Sequence, residues 1–490
     1  MNTSYFGYPI INQFFSNMRN LSLIFLSRLC LSLGILYVSI SCVNEAGKPT
    51  GETAGEITIS PEYIHFWQFK GKPVLLLGGS DDDNLFQRED LLEQLDILQS
   101  IGGNYVRNTM SSRDSGNVWP FLQLSNGKYD LNQWEPEYWR RFETLLEETS
   151  ARDIIVQVEI WATFDFYRDN WLVNPYNPVN NVNYSLERVK LTAEVPTHPV
   201  YTENNFFRSV PSHLNLEALL WHQSRFVKKL LSYSLQYNNV LYCMDNETSV
   251  TSEWGKFWSL YIQKQARLAG KSVHTTEMWN AWNLANPVHD ETFDHPEIYS
   301  FVDISQNNHI TGQAHWDNGL AQFERLKAMG VLRPVNNVKV YGNDGGRHKT
   351  TRNAIESYCQ NVLMGCASTR FHRPTSGQGI NATARAVIKS LREMTNKMRF
   401  FDAKPANELL LNREEHEAYC RAIPGKEYLL FFPANGEVSI DFSDENGTYS
   451  FQWMNLLENT IVKEDQFDAG GVVNFTTPGD DYYLLFVKKE

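Results

Sequence analysis

What this chain lacks removes several classes of function at once. It has no Lys/Arg-rich run, and 44 basic residues against 57 acidic ones leave a formal charge of −13, so the electrostatic footprint of a nucleic-acid binder is missing. An anionic membrane surface is an equally poor partner for the folded part. The six cysteines include no CxxC or Cys/His spacing that would hold a metal, and Cys243 and Cys366 stand in apolar runs that suit buried thiols better than disulfides. The glycines at 342, 345 and 346 are not directly followed by Lys-Ser/Thr, so they lack the spacing of a nucleotide loop. No G-x-S-x-G occurs, and Ser249 has no evident base. Internal repeats and low-complexity tracts are absent. No cofactor is expected, and a metal held by Asp81, His309 and Asp344 is a minor alternative because those residues stand on different segments.

What is present is aromatic. Phe, Trp and Tyr make up 13% of the chain, with 13 Trp and 23 Tyr, and flat apolar rings outside the core suit stacking on the C–H faces of sugars. A length of 490 residues suggests two or three domains, with an α/β barrel as the main exception. Near the N-terminus Arg19 and Arg28 precede an apolar run, residues 29–40, of signal-peptide length, and small residues lead into Cys42. This predicts a signal peptide over residues 1–41, with 1–17 a start-site extension, and a lipidated tether over 42–56. A transmembrane anchor beginning near Leu21 is the alternative. The expected product is an exported, cell-surface or periplasmic lipoprotein held at the outer membrane by lipid on Cys42.

From residue 57 strand-like and helix-like segments alternate. Strands are predicted at 74–78, 104–107, 153–160, 240–244, 272–276, 299–304, 337–341 and 362–369, each followed by a helical pattern; the fifth helix is broken around Pro287 and Pro296. Parallel strands need such crossovers, and eight of them close a barrel over residues 57–403. The long loop at 161–214 is of a length that usually serves function. Residues 404–490 instead show short strands at regular spacing, with turns at 433–436 and 445–447, as a small sandwich would. The expected fold class is α/β: a (β/α)₈ TIM barrel with a small C-terminal antiparallel β-sandwich domain.

In such a barrel chemistry sits where strands end. Those positions carry Asp81, Asp82 and Asp83; Arg107, Asn108 and Arg113; Glu159, Trp161 and Asp165; Asp245, Asn246 and Glu247; Glu277, Trp279 and Trp282; Asn307, Asn308 and His309; Asn343 and Asp344; and Arg370, His372 and Arg373. Loop solvation explains any single acid among them. Trp161, Trp279, Trp282, Trp316, Tyr176 and Tyr184 are the stacking candidates. Arg107, Arg370 and Arg373 suit bidentate capture of an acidic sugar or, equally, pairing with neighbouring carboxylates. His309 and His372 suit hydrogen bonds to hydroxyls.

The Asn246-Glu247 pair that closes the fourth strand resembles the acid/base signature of the retaining glycoside hydrolases built on (β/α)₈ barrels. The resemblance implies Glu247 as acid/base and Asn246 as a ligand of the sugar 2-hydroxyl. It also implies a nucleophile at the end of strand seven, where Asp344 stands in place of the usual Glu, with Glu277 and Glu159 as rivals. The segments IIVQVEIWATFDFYRDNW, YCMDNETS, SQNNHITGQAHWDN and TRFHRPTSGQGI are similar to a Bacteroidetes group of secreted proteins related to apiosidase-like barrels. LLFFPANGEVSIDF and YSFQWMN resemble that group's C-terminal domain, which is named for collagen binding. These resemblances imply hydrolysis of O-glycosidic bonds in a plant or host polysaccharide by a retaining two-carboxylate mechanism. Asp245, Glu159, Glu277, Arg107, Trp161, Trp279, His309, Arg370 and His372 would contact the substrate. The alternative is a catalytically silent surface protein that binds glycan or collagen.

Overall fold

Eight segments whose residues are all buried form the wall of a barrel: β1 (Leu76–Gly79), β2 (Tyr105–Thr109), β3 (Ile155–Trp161), β4 (Val240–Asp245), β5 (Thr275–Thr276), β6 (Val302–Asp303), β7 (Val335–Val340) and β8 (Ser368–Phe371). The computed structural model describes residues 55–490 apart from Val200, Thr202 and Arg347; the predicted signal peptide, Cys42 and most of the tether lie outside the described residues. Neighbouring strands pair in parallel in the order β5-β4-β3-β2-β1-β8-β7-β6. The two end strands meet through Ser300 N–H to Thr275 O at 3.1 Å and Thr276 Oγ1 to Phe301 O at 2.8 Å.

Helices cover the wall: α1 (Leu91–Ser100), α2 (Pro136–Ala151), α3 (Glu217–Ser234), α4 (Ser252–Leu268), α5 (Asp290–Phe293), α6 (Gly312–Ala328), α7 (Thr351–Met364) and α8 (Ala382–Lys397). As the prolines predict, α5 is a single turn. Three short antiparallel strands, Thr58–Ile59, Trp67–Phe69 and Lys72–Val74, precede the barrel. They carry Trp67 into its interior, where the fully buried indole donates to Asn336 Oδ1 at 3.1 Å. Asn336 lies near the start of β7, so this plug closes the end opposite the one where strands finish.

The fifth and sixth strands are shorter than predicted, and one predicted boundary falls inside a helix. Residues 362–364, read as the start of the eighth strand, belong to α7, which opens with a Thr350/Asn353 capping box and ends at Gly365 with φ +99°. Residues 354–364 are all buried, because the barrel lies on one side of α7 and the C-terminal sheet on the other. Its last turn, Val362-Leu363-Met364, is wholly apolar and leads through Gly365 and Cys366 toward β8, so it reads as one apolar run with the strand.

The architecture changes after α8. Strands β9 (Lys404–Pro405), β10 (Tyr419–Ile423), β11 (Glu427–Phe432), β12 (Glu437–Asp441), β13 (Thr448–Asn455), β14 (Thr460–Asp468), β15 (Val472–Thr476) and β16 (Tyr483–Lys489) follow. Six form an antiparallel sheet in the order β9-β10-β11-β16-β13-β14, and β12 pairs with β15 as a separate ribbon. The edge strand β14, TIVKEDQFD, is mostly exposed and so lacks the alternation that would reveal it. One face of the sheet, with Leu429, Phe431, Met454, Leu484 and Phe486, joins the barrel core. The other, with Leu430, Phe432, Trp453 and Leu485, packs beneath Val438, Ile440 and Phe475 of the ribbon.

Tyr449 and Trp453 are buried in that second core, and Phe451 and Phe467 pack against it. These aromatics fill the small domain rather than line a groove on it. Each large apolar side chain withdrawn from water contributes about 1.5–3 kcal/mol, so deleting residues 404–490 would expose a costly strip of α7. The barrel cut at residue 403 is expected to aggregate; size-exclusion and thermal unfolding measurements check this, and a monomeric fragment that melts cooperatively would refute it.

Candidate active site

The centre of the mouth is Arg107, fully buried on β2. Its Nε donates to Glu159 Oε1 at 2.5 Å, Nη1 to Asp83 Oδ1 at 2.6 Å, and Nη2 to Asn246 Oδ1 at 2.9 Å. A second cation enters from β7: Lys339 Nζ donates to the same Asn246 Oδ1 at 2.6 Å and lies 2.9 Å from Glu247 Oε1. Asn336 faces the interior, so strict alternation would turn Lys339 outward. A register shift against β8 between Asn337 and Val340 re-aims it.

Glu247 stands just beyond β4 with φ +56°, a left-handed conformation that costs a non-glycine residue about 1–3 kcal/mol unless its surroundings hold it. They do hold it: the next residue is pinned by Thr248 N–H to Met278 O at 2.8 Å and by Asn280 N–H to Thr248 O at 2.8 Å. Oε1 of Glu247 also accepts from Tyr341 OH at 2.9 Å and from Gln306 Nε2 at 3.2 Å. Burial works against the charged form, but Lys339 and Tyr341 outweigh it and hold the carboxyl well below the usual range. Lys339 is itself pushed down by burial, which its carboxylate neighbours only partly offset.

At the end of β1 two adjacent acids diverge. Asp83 is buried, and although burial opposes its charge, Arg107, His372 (Nε2 at 3.6 Å) and Arg373 (Nε at 3.4 Å) keep it well below its ordinary value. Asp82 is half-buried and raised, because burial costs its charge more than the Asp83 backbone N–H and Arg373 return.

Several sequence expectations are corrected here. Asp344 is exposed; its Oδ1 accepts the Thr351 N–H at 3.1 Å at the start of α7, and it is not among the partners of Glu247. Trp161, 1% exposed, packs among Phe206, Phe226, Trp254 and Trp258, and Trp279, 3% exposed, donates to Thr292 Oγ1 at 2.8 Å. Trp316, Tyr176 and Tyr184 are buried too, so of the six stacking candidates only Trp282 is exposed. Large rings at strand ends were better used to fill the space between strands and helices. The guanidinium of Arg107 is spent on this chain's own groups. So is that of Arg370, which is buried and donates to Val338 O, Ser80 Oγ and Asp82 O, so neither is free to fork an acidic sugar. Glu159 is wholly buried under Arg107 and Thr109. His372 is buried, driven down in pKa and hydrogen-bonded to Ser376 Oγ at 2.9 Å. His309 is half-buried, with its ring 5.0 Å from that of Tyr341.

Asp245 and Glu277 lie apart from the mouth, against α4. Asp245 N–H donates to Glu277 Oε1 at 3.1 Å and Trp254 Nε1 to Asp245 Oδ1 at 3.3 Å. Burial pushes Asp245 up to about 8, with the Glu159 charge adding to it, and burial together with the Asp245 charge pushes Glu277 well above its ordinary value. A carboxyl raised in the fold takes up protons that the unfolded chain releases, so its contribution to stability is complete below the unfolded pKa and is lost as pH rises through the folded one. Stability from this pair is therefore expected to fall between about pH 4 and about pH 8. Glu277→Gln removes one of the two titrating carboxyls and should flatten that part of the melting-temperature profile; an unchanged slope would show that the pair does not govern it.

Lys339, Tyr341 and Gln306 were not singled out from the sequence. Tyr341 follows β7 and was legible by the strand-end rule, and Gln306 adjoins the two asparagines that were named. Nothing in VNNVKV announces the register shift that turns Lys339 inward. Among the described residues no group of His, Cys, Asp and Glu is arranged to hold a metal ion.

No protein-family model matches the chain, and no curated protein matches it. Solved structures do share its shape. A glycoside hydrolase family 5 protein from Bacteroides vulgatus ATCC 8482 is 14% identical at a TM-score of 0.60, over 89% of this chain and 94% of its own. A structure described as a glycoside hydrolase is 13% identical at 0.58, over 89% and 97%. An alpha-amylase from Geobacillus thermoleovorans, complexed with acarbose, is 8% identical at 0.50, over 84% and 96%. At such identities the likeness establishes the fold, which is that of a TIM barrel extended by a C-terminal strand-rich region.

Proposed function

We propose that the chain hydrolyses O-glycosidic bonds of a plant or host polysaccharide in this mouth, with Glu247 as the ionised carboxylate of a two-carboxylate mechanism. The observation that carries the reading is the set of donors on Glu247: Lys339, Tyr341 and Gln306 converge on one oxygen of a strand-end carboxylate held in a strained backbone. Glycosidic hydrolysis needs one carboxyl charged, to attack the anomeric carbon or activate water, and one protonated, to assist the leaving oxygen. Environments that push two carboxyls apart in pKa assign those roles. Glu247 is held low and Asp82 is raised, so we assign Asp82 as proton donor, reversing the role the family resemblance gave Glu247. The Oδ1 of Asn246 is fixed by Arg107 and Lys339, which orients its amide toward a sugar hydroxyl. The descriptions of the structural neighbours as glycoside hydrolases support the same chemistry.

The alternative of a silent glycan-binding protein is favoured by one feature, the closed ion pair between Lys339 and Glu247. A screen against polysaccharides and aryl glycosides separates the two. Sugar release by the wild type, absent from Glu247→Gln, supports the enzyme, and the anomer first formed distinguishes retention from inversion. Retention of a glycan or collagen with no sugar release sinks it.

A further inference from the structure

A second solvent-facing cavity, of about 220 Å³, is lined by Asn132, Asn183, Tyr184, Arg188, Trp221 and His222. Two insertions of the barrel and one of its wall helices build it. Asn132 belongs to a hairpin after β2 (Phe121–Gln123 with Tyr129–Trp134); Asn183, Tyr184 and Arg188 come from the long loop after β3; Trp221 and His222 stand in the first turns of α3. Loops that follow strands and the helix turns they lead into lie at the end of a barrel where strands finish. The cavity therefore sits on the same end as the mouth.

Two observations set it apart from ordinary surface. Trp221 is 54% exposed, yet it is braced: the Arg225 guanidinium lies 4.8 Å from its ring and 5.2 Å from that of Trp134. That guanidinium is fixed by donating to Leu131 O at 3.0 Å, Asn132 Oδ1 at 2.9 Å and Asn132 O at 3.0 Å. An indole held still in water is a prepared stacking surface, since little side-chain entropy remains to be lost when a ring settles on it. The second observation is His222, 7% exposed and lining the cavity, whose Nδ1 has no partner among the described residues. Burial pushes the imidazole down to about 4, so at neutral pH it offers uncharged hydrogen-bonding capacity. A flat apolar face beside an unsatisfied ring nitrogen, an amide and an arginine suits a sugar, which is apolar on its C–H face and hydroxylated at its rim.

We infer that this cavity is a second carbohydrate site, with Trp221 stacking on a sugar ring and His222, Asn132 and Arg188 meeting its hydroxyls, and that it holds a polysaccharide chain beside the mouth. The class of ligand rests on the glycoside-hydrolase reading; the site itself rests on the braced indole and the buried, unpartnered imidazole nitrogen beside it.

The test uses the full chain in three forms, wild type, Trp221→Ala and Trp221→Phe, each also carrying Glu247→Gln so that nothing is consumed. Retardation in gels containing neutral hemicellulose, pectin or starch measures binding to the polymer. Kinetics on small aryl glycosides without Glu247→Gln report the mouth alone. Loss of one aromatic stacking contact is expected to weaken retention about tenfold in Trp221→Ala, with Trp221→Phe intermediate and aryl-glycoside turnover unchanged. Trp221-dependent retention by a wild type that turns over no glycoside would leave the site standing and remove the hydrolase reading. Equal retention by wild type and Trp221→Ala, or no retention on any of the three polymers, overturns the inference. A matching fall in aryl-glycoside turnover does so as well, because the ring would then serve the mouth.

Discussion

Glu247→Gln is expected to lower sugar release by about 10²- to 10⁴-fold, the range that a carboxyl acting in the transition state supplies, while the protein stays folded. The amide is the same shape, and its Oε1 can still accept from Tyr341 and Gln306. Asp82→Asn should behave differently. A proton donor matters most where the departing oxygen is a poor leaving group, so the loss should be large on polysaccharide and small on aryl glycosides with acidic phenols. Asp344→Asn should stay close to the wild type, since exposed substitutions usually shift energies by no more than about 0.5 kcal/mol. Measuring kcat/KM for the three variants over a leaving-group series checks all of this. Equal losses on both kinds of substrate would take the acid role from Asp82, and a large loss in Asp344→Asn would return the second carboxylate to the loop after β7.

The second large effect is expected from Lys339→Met. This removes the buried cation from two acceptors at once, Asn246 Oδ1 and Glu247 Oε1, and breaking a buried pair by deleting one partner costs about 3–5 kcal/mol. The pH dependence follows from the depressed pKa of Glu247. Its stabilising contribution is present above the unfolded value of 4.5 and persists until pH falls through the lower folded value. Without Lys339, burial is left as the main influence and raises the pKa, so that contribution disappears and the carboxyl takes up a proton at higher pH. The melting temperature should therefore drop at neutral pH, and the acid limb of any pH–activity profile should move upward. Thermal unfolding and kcat/KM between pH 4 and pH 8 are the measurements. If neither changes, the pair is not what holds Glu247 charged, and its assignment as the ionised carboxylate fails.

Much of the architecture was readable because each barrel strand is a short buried run closed by polar residues, as in the β4 segment VLYCMD followed by Asn246 and Glu247. Most of the C-terminal strands were readable from their regular spacing, but the two-residue β9, the buried β10 and the exposed edge strand β14 were not. Misreading residues 362–364 has the opposite cause: α7 is buried on every side by two layers distant in sequence, so its last turn, Val362-Leu363-Met364, is apolar and merges with the run that leads to β8.

The site divides along similar lines. By itself the sequence determined that acids, arginines and amides would gather where the strands finish, and that Glu247 would stand among them beside Asn246. It could not say which of those acids faces the mouth, because Asp245 and Glu277 turn to α4 although they stand at strand ends like Glu247. Nor could it say which carry charge. Arg107 ties together Asp83, Glu159 and Asn246 from three strands, and Lys339 reaches Glu247 from a fourth only because β7 slips its register. The charge state of a buried carboxyl depends on how many cations and hydrogen-bond donors surround it in space, and those neighbours come from parts of the chain whose approach only the closed barrel decides.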